Sequence, residues 1–222
     1  MKTKVIVFDF DGTISRVDKG FNCWNAVWKK LNALEVDKKY YNMYKAKQIT
    51  YTEWCDAIEK EFIARDIKQE MLNEIGRNIP LMNDAEEFFK ILKNNNIKSY
   101  ILSGGIKNII EESIKSIREY IEDIQADNLL FDDNGKMTKI ELTEGHNVAQ
   151  KDEYVNILLK KHNILPNELL FIGNGANDED VYKSGVRTLC FNPDGANYEN
   201  KRIWNDTIFG DSLMDVLPYI NI

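Results

Sequence analysis

The sequence predicts an α/β fold: a doubly wound, mostly parallel sheet whose first strand is followed directly by an all-helical insert. Three observations predict it. The run Val5-Ile6-Val7-Phe8 is apolar on both faces, as the centre of a parallel sheet covered by helices requires. From about residue 83 onward, strand-like and helix-like segments alternate. Between these regions, over about residues 22–76, apolar residues recur at helical rather than strand spacing.

Taken in order, the first strand runs into Asp9-Phe10-Asp11-Gly12-Thr13. Side chains alternate across a strand, so Asp9 and Asp11 point the same way while Phe10 points into the fold. Ligands of such sheets bind beyond the carboxyl ends of the strands, which is where these two acids sit. Asp-Gly also favours a turn on its own account. In the insert, Trp24, Val27, Trp28 and Leu31 mark one helix, and Trp54, Ala57, Ile58 and Phe62 another. Alternation resumes with a helix over about 83–95, a strand over 97–102 and a helix starting near Ile106. Strand-like runs at 128–131 and 137–142 flank Asp133-Asn134-Gly135, a hairpin signal. A helix over about 151–161 leads through Pro166 to a strand at 169–172. A helix near 178–184, a strand at 186–191 and a terminal helix from about Asp211 complete the chain. No repeat or low-complexity linker interrupts it. The expected division is an α/β core of residues 1–15 and 80–222 with a helical module at 16–79.

With 222 residues, 43% of them hydrophobic, the chain has enough apolar surface for a real interior. A formal net charge of -7 argues against a nucleic-acid partner, whose phosphate backbone calls for clustered Lys and Arg. A small phosphorylated compound remains compatible, because local charge governs there. Cys23, Cys55 and Cys190 are odd in number and far apart, so neither a disulfide framework nor a zinc site is indicated. Met1-Lys2-Thr3-Lys4 leads straight into the first strand, and no long apolar stretch suggests a targeting segment or membrane span. A cytoplasmic protein with no membrane partner is expected, and nothing in the sequence sets an oligomeric state.

Three further strand-end segments carry chemistry. Ser103-Gly104-Gly105 closes an apolar strand, where a hydroxyl and backbone N–H groups could seat a phosphate at the next helix N-terminus; it is also an ordinary strand-to-helix turn. Lys151 opens a helix, a place where a cation is disfavoured by the helix dipole unless an anion faces it; most lysines so placed are solvated surface residues. Gly173-Asn174-Gly175-Ala176-Asn177-Asp178 leaves another buried strand around a tight turn, from which Asn174 and Asp178 could reach a metal. Gly173-x-Gly175 is not a dinucleotide fingerprint: the sixth position is Asp178, and the segment follows a late strand rather than the first.

In order and spacing, these four segments resemble the motifs of the haloacid dehalogenase superfamily, and are most similar to phosphoserine phosphatase and its relatives. That subgroup carries a helical cap between the first and second motifs, on a Rossmann-like core. The resemblance covers nearly the whole core and implies a magnesium-dependent phosphatase for a small phosphorylated metabolite. It implies that Asp9 is the nucleophile, forming an aspartyl-phosphate, and that Asp11 serves as acid and then base. Ser103, Gly104, Lys151 and Asn177 would bind the substrate. Mg2+ would be held by Asp9, Asp11 through its backbone carbonyl, Asn174 and Asp178. Dehalogenases of the superfamily lack the second aspartate, so Asp11 argues against a C–halogen hydrolase.

The chain departs from its relatives in two places. Asn174 stands where they have a magnesium-binding aspartate, so the site loses a negative charge and should hold the ion less tightly. A glutamate and an arginine of the phosphoserine-gripping cap become Asp18 and Ile58, which removes a bidentate carboxylate partner and disfavours phosphoserine. Arg16, Asp18, Lys19, Trp24 and Trp28 are the cap candidates for other contacts, although tryptophans at i, i+4 also suit packing. His162 is expected at a helix C-terminus, and His146 has no assigned role. The alternative reading is a phosphate-compound binding or regulatory protein whose turnover is impaired by Asn174. A third is a phosphotransferase with an organic acceptor.

Overall fold

The computed structural model describes residues 1–18, 20–142 and 151–222, so Lys19 and His146 lie outside the described residues. Seven strands form one sheet: β1 (Val5–Phe8), β2 (Lys98–Ile106), β3 (Ile121–Phe131), β4 (Met137–Glu141), β5 (Leu169–Gly175), β6 (Arg187–Asp194) and β7 (Asp206–Ile208). Their spatial order is β4-β3-β2-β1-β5-β6-β7, with every pair parallel except β3 and β4. The chain leaves β1 toward one edge and later returns to build the other, so the order reverses at β1. A crevice at the carboxyl end of this strand follows from that topology. In register, Phe8 faces Ile101 on one side and Ile172 on the other, which brings the segments after all three strands together.

β1 shows why the strand is apolar throughout. Ile6 and Phe8 enter one core, with Phe88, Phe89 and Leu92 of α5 (Ala85–Asn94). Val5 and Val7 enter the other, with Val155 and Leu158 of the helix Lys151–His162. Phe8 meets Phe88 and Phe89 edge-on at centroid distances of 6.0 and 5.2 Å. Each such fully buried side chain contributes about 1.5–3 kcal/mol.

The insert holds α1 (Cys23–Lys30), α2 (Leu34–Lys45), α3 (Tyr51–Ala64) and α4 (Gln69–Arg77). Asn22 caps α1 by accepting from the Asn25 amide, and Thr50 with Glu53 forms a capping box on α3. Trp28 packs on Phe62, 4.6 Å between centroids, and both join the cluster that contains Ile6 and Phe8. α4 lies on α6 (Lys107–Ser113), with the Ser113 hydroxyl donating to the Gly76 carbonyl at 3.0 Å. The β3–β4 hairpin props the insert from the side: Gln69 N donates to Gly135 O at 3.0 Å and Met137 N to Ile67 O at 3.1 Å. The last helix of the core, α7 (Lys151–His162), completes the layer behind β1.

Several boundaries differ from expectation. β3 begins at Ile121, not near residue 128; a register shift against β2 spaces its buried isoleucines, Ile121 and Ile124, out of strict alternation. β2 continues through Ser103 and both glycines to Ile106, so this stretch is extended backbone rather than the N-terminus of the next helix. Ala176–Ser184 and Leu213–Tyr219 are 3-10 segments instead of α-helices, the second carrying Pro218 inside it. β7, three residues long, carried too short a pattern to be anticipated.

Candidate active site

Lys151, the first residue of α7, places its ammonium between two carboxylates. Nζ lies 2.8 Å from Asp9 Oδ1 and 2.5 Å from Asp178 Oδ1, and the three residues are 3%, 4% and 1% exposed. The anions that a lysine at a helix start requires are therefore supplied by two other segments. Asp178 does more: its Oδ2 accepts from the amides of Asn174 at 3.0 Å and Gly175 at 2.9 Å. Both of its oxygens are thus engaged, one by the lysine and one by the glycine-rich turn.

Asp11 is held from the insert. Its Oδ2 accepts from Cys23 N at 3.2 Å and its Oδ1 faces Cys23 Sγ at 3.3 Å. Burial raises the Asp11 carboxyl to about 6. Asp9 is pushed up to about 7 by burial, opposed by Lys151 and assisted by the charges of Asp178 and Asp11. For Lys151, burial acts to lower the pKa but is outweighed by Asp178 and Asp9, leaving it above its ordinary value. Asp9, Asp11 and Asp178 face one ammonium, so the cluster carries an excess of acid.

The second motif closes the arrangement. Ser103 Oγ accepts from Gly105 N at 3.0 Å. Gly105 admits no side chain without displacement: a Cβ there would lie 3.1 Å from both Asp11 Oδ2 and Cys23 Sγ and 3.2 Å from Ser103 Oγ. Asp11, Cys23 and Ser103 therefore converge on one point. The Trp24 indole donates to Gly104 O at 2.8 Å and lies parallel to Phe62, whereas Trp28 is wholly buried packing. The Asn174 amide rests against the α-carbon of Gly12, whose φ of +76° and lack of a Cβ let the first and last motifs meet there. Asn177 is half-buried beside Gly104, its Nδ2 3.8 Å from where a Gly104 Cβ would fall.

Other candidates lie apart from this cluster. Arg16 and Asp18 are exposed, with Arg16 reaching Asn83 at 3.4 Å. Ile58 is buried in the insert's apolar cluster. His162 ends α7, as its position suggested, and its Nε2 pairs with the Tyr100 hydroxyl at 2.8 Å. Sequence reasoning missed Cys23 as the partner of Asp11. The available signal was Asn22 as an N-cap, which leaves the next amide without an intrahelical acceptor.

Among the described residues, no group of three or more His, Cys, Asp and Glu side chains forms a ready metal cage. The oxygens at hand are the Asp9 carboxylate, the Asp11 carbonyl and the Asn174 amide, a hard donor set of the kind magnesium accepts together with water. The excess of buried acid is the deficit a divalent cation would offset, so the residues fit such an ion.

A model of haloacid dehalogenase-like hydrolases matches residues 3–183. The chain belongs to this hydrolase family. Phosphoserine phosphatase of Wolinella succinogenes is 26% identical over 129 residues, which are 58% of this chain and 61% of that relative's length. A solved phospho-aspartyl intermediate analogue of phosphoserine phosphatase superposes with a TM-score of 0.73 at 23% identity, covering 99% of this chain and 100% of the other. A HAD family hydrolase from Salmonella enterica serovar Typhi gives 0.78 at 16% identity, covering 99% of this chain and 72% of that one. At these identities the structural likeness shows the shared fold. No helix among the described residues is long and apolar enough to cross a membrane.

Proposed function

We propose that this member of the family is a magnesium-dependent phosphomonoesterase that hydrolyses a small phosphorylated metabolite through an aspartyl-phosphate on Asp9. The observation that carries the reading is the buried Asp9–Lys151–Asp178 ion cluster, with Asp11 beside it at the end of the central strand. Lys151 engages Oδ1 of Asp9, and among the described residues Oδ2 makes no hydrogen bond. That oxygen attacks phosphorus while the ester oxygen departs with the proton of Asp11. Water then attacks the phosphorus, gives a proton to Asp11 and releases inorganic phosphate and the Asp9 carboxylate. Ser103, the Gly104 amide, Lys151 and Asn177 hold the phosphoryl oxygens. Magnesium, bound by Asp9, the Asp11 carbonyl and Asn174, would offset the charge repulsion between carboxylate and phosphate. Asp178, whose oxygens accept from Lys151 and from the Asn174 and Gly175 amides, would join the ion directly or through water.

Residues 16–79 act as the cap over this site, and phosphoserine is disfavoured as substrate. Ile58 offers only an apolar side chain in a packed interior, and Asp18 is exposed. We place the enzyme in the cytoplasm, in keeping with three unpaired thiols. The test is hydrolysis of an aryl phosphate with and without magnesium, with Asp9→Asn as control. Metal-dependent, Asp9-dependent release supports the phosphatase. Binding of phosphate compounds without such release supports the regulatory reading, and a new phosphorylated product on adding alcohols supports the phosphotransferase.

A further inference from the structure

α1 is fastened to the catalytic segments through its first two residues. Asn22 spends its side chain on the Asn25 amide, so the Cys23 amide, first in the helix, has no intrahelical acceptor and turns to Asp11 Oδ2 at 3.2 Å. The Cys23 thiol, fully buried, reaches the other oxygen, Oδ1, at 3.3 Å. Two contacts from one residue to the two oxygens fix the plane of that carboxyl group, which a single bond would leave free to rotate. Gly105 abuts the same pair of groups. Trp24 then ties the same helical turn to Gly104 O.

We infer that Cys23 is a positioning residue: its thiol and amide orient the Asp11 carboxyl toward the ester oxygen, so that the first turn of α1 completes the proton-transfer geometry. The inference rests on the phosphatase reading above. It makes a prediction that a merely structural cysteine does not. An alkyl alkoxide needs Asp11's proton to leave, whereas a nitrophenolate leaves without one, so misplacing the acid penalises formation of the aspartyl-phosphate, the step that kcat/KM reports, only for the first.

The experiment compares kcat/KM of the magnesium-loaded wild type, Cys23→Ala and Cys23→Ser on an alkyl phosphate and on p-nitrophenyl phosphate. Cys23→Ala should lower kcat/KM on the alkyl ester about tenfold and on the nitrophenyl ester less than about twofold. Cys23→Ser, which puts a hydroxyl donor in the place of the thiol, should recover most of the alkyl activity. Equal losses on both esters, or no loss on either, overturn the inference while leaving the phosphatase intact. Should the alanine variant not fold, the near-isosteric Cys23→Val, which also lacks a donor, takes its place: a loss confined to the alkyl ester supports the inference, and equal losses or none overturn it. A wild type inert on both esters overturns the phosphatase reading itself, and Cys23's role with it.

Discussion

Lys151 Nζ sits 2.8 Å from Asp9 Oδ1, across 142 residues of sequence and almost wholly buried. Because the same ammonium also holds Asp178, one lysine joins the first, third and last functional segments of the chain. Structure and chemistry should therefore respond differently to the loss of each partner.

Lys151→Met should abolish hydrolysis and also destabilise the fold by about 3–5 kcal/mol, since it leaves two buried acids without their cation. Asp9→Asn should abolish hydrolysis with little loss of stability, because Lys151 keeps Asp178 and one surplus acid is removed. Guanidinium unfolding of both variants measures this, and equal stability of the two would contradict the ion cluster.

Asn174→Asp restores a negative charge at the site where the Asn174 amide meets the Gly12 turn. The magnesium concentration for half-maximal activity should fall, on the order of tenfold. Titration of activity against magnesium decides, and an unchanged midpoint would remove Asn174 from the ligand set.

The metal-free fold should lose stability as pH rises. Burial raises Asp9 to about 7 and Asp11 to about 6 from an unfolded value of 3.8, so the folded chain holds these protons more tightly. The stabilisation is complete below about pH 4 and is lost as pH climbs through 6 to 7. Magnesium competes with those protons, so its effect on the melting temperature should be small at pH 5 and clear at pH 8. Thermal melts with and without the ion test this, and a shift independent of pH would argue against an ion bound at these acids.

Gly105→Ala should leave the fold near its original melting temperature but lower kcat by about tenfold to a hundredfold. The added methyl would press on Asp11, Cys23 and Ser103 at 3.1–3.2 Å, and small misplacements of reacting groups are costly. Circular dichroism and steady-state rates measured together would expose an alanine that fits without effect.

Much of this site was legible from order along the chain. Two acids after a doubly apolar strand, a serine after the next core strand, a helix-opening lysine and a late glycine turn each sit where parallel-sheet topology gathers strand ends. Lys151 by itself suits a solvated surface as readily as a site, and the fold decided between them by supplying two anions. Elements with weak local patterns escaped. The early part of β3 is rich in acids and amides and keeps its place through pairing with β2, and β7 is only three residues long.

The central strands, the helical insert and the paired acids followed from local pattern, because periodicity and turn chemistry are properties of neighbours in sequence, whereas the serine and the lysine stood out only through the order of the four motifs. The partners did not. That Asp178 spends both oxygens on Lys151 and the glycine turn depends on how α7 packs on the Ala176–Ser184 segment, and that Ile58 faces an apolar interior and Cys23 grips Asp11 depends on how the insert docks on the sheet. Such pairings arise from packing between distant segments, where a shift of about one ångström exchanges one hydrogen-bond partner for another and no local signal records the choice.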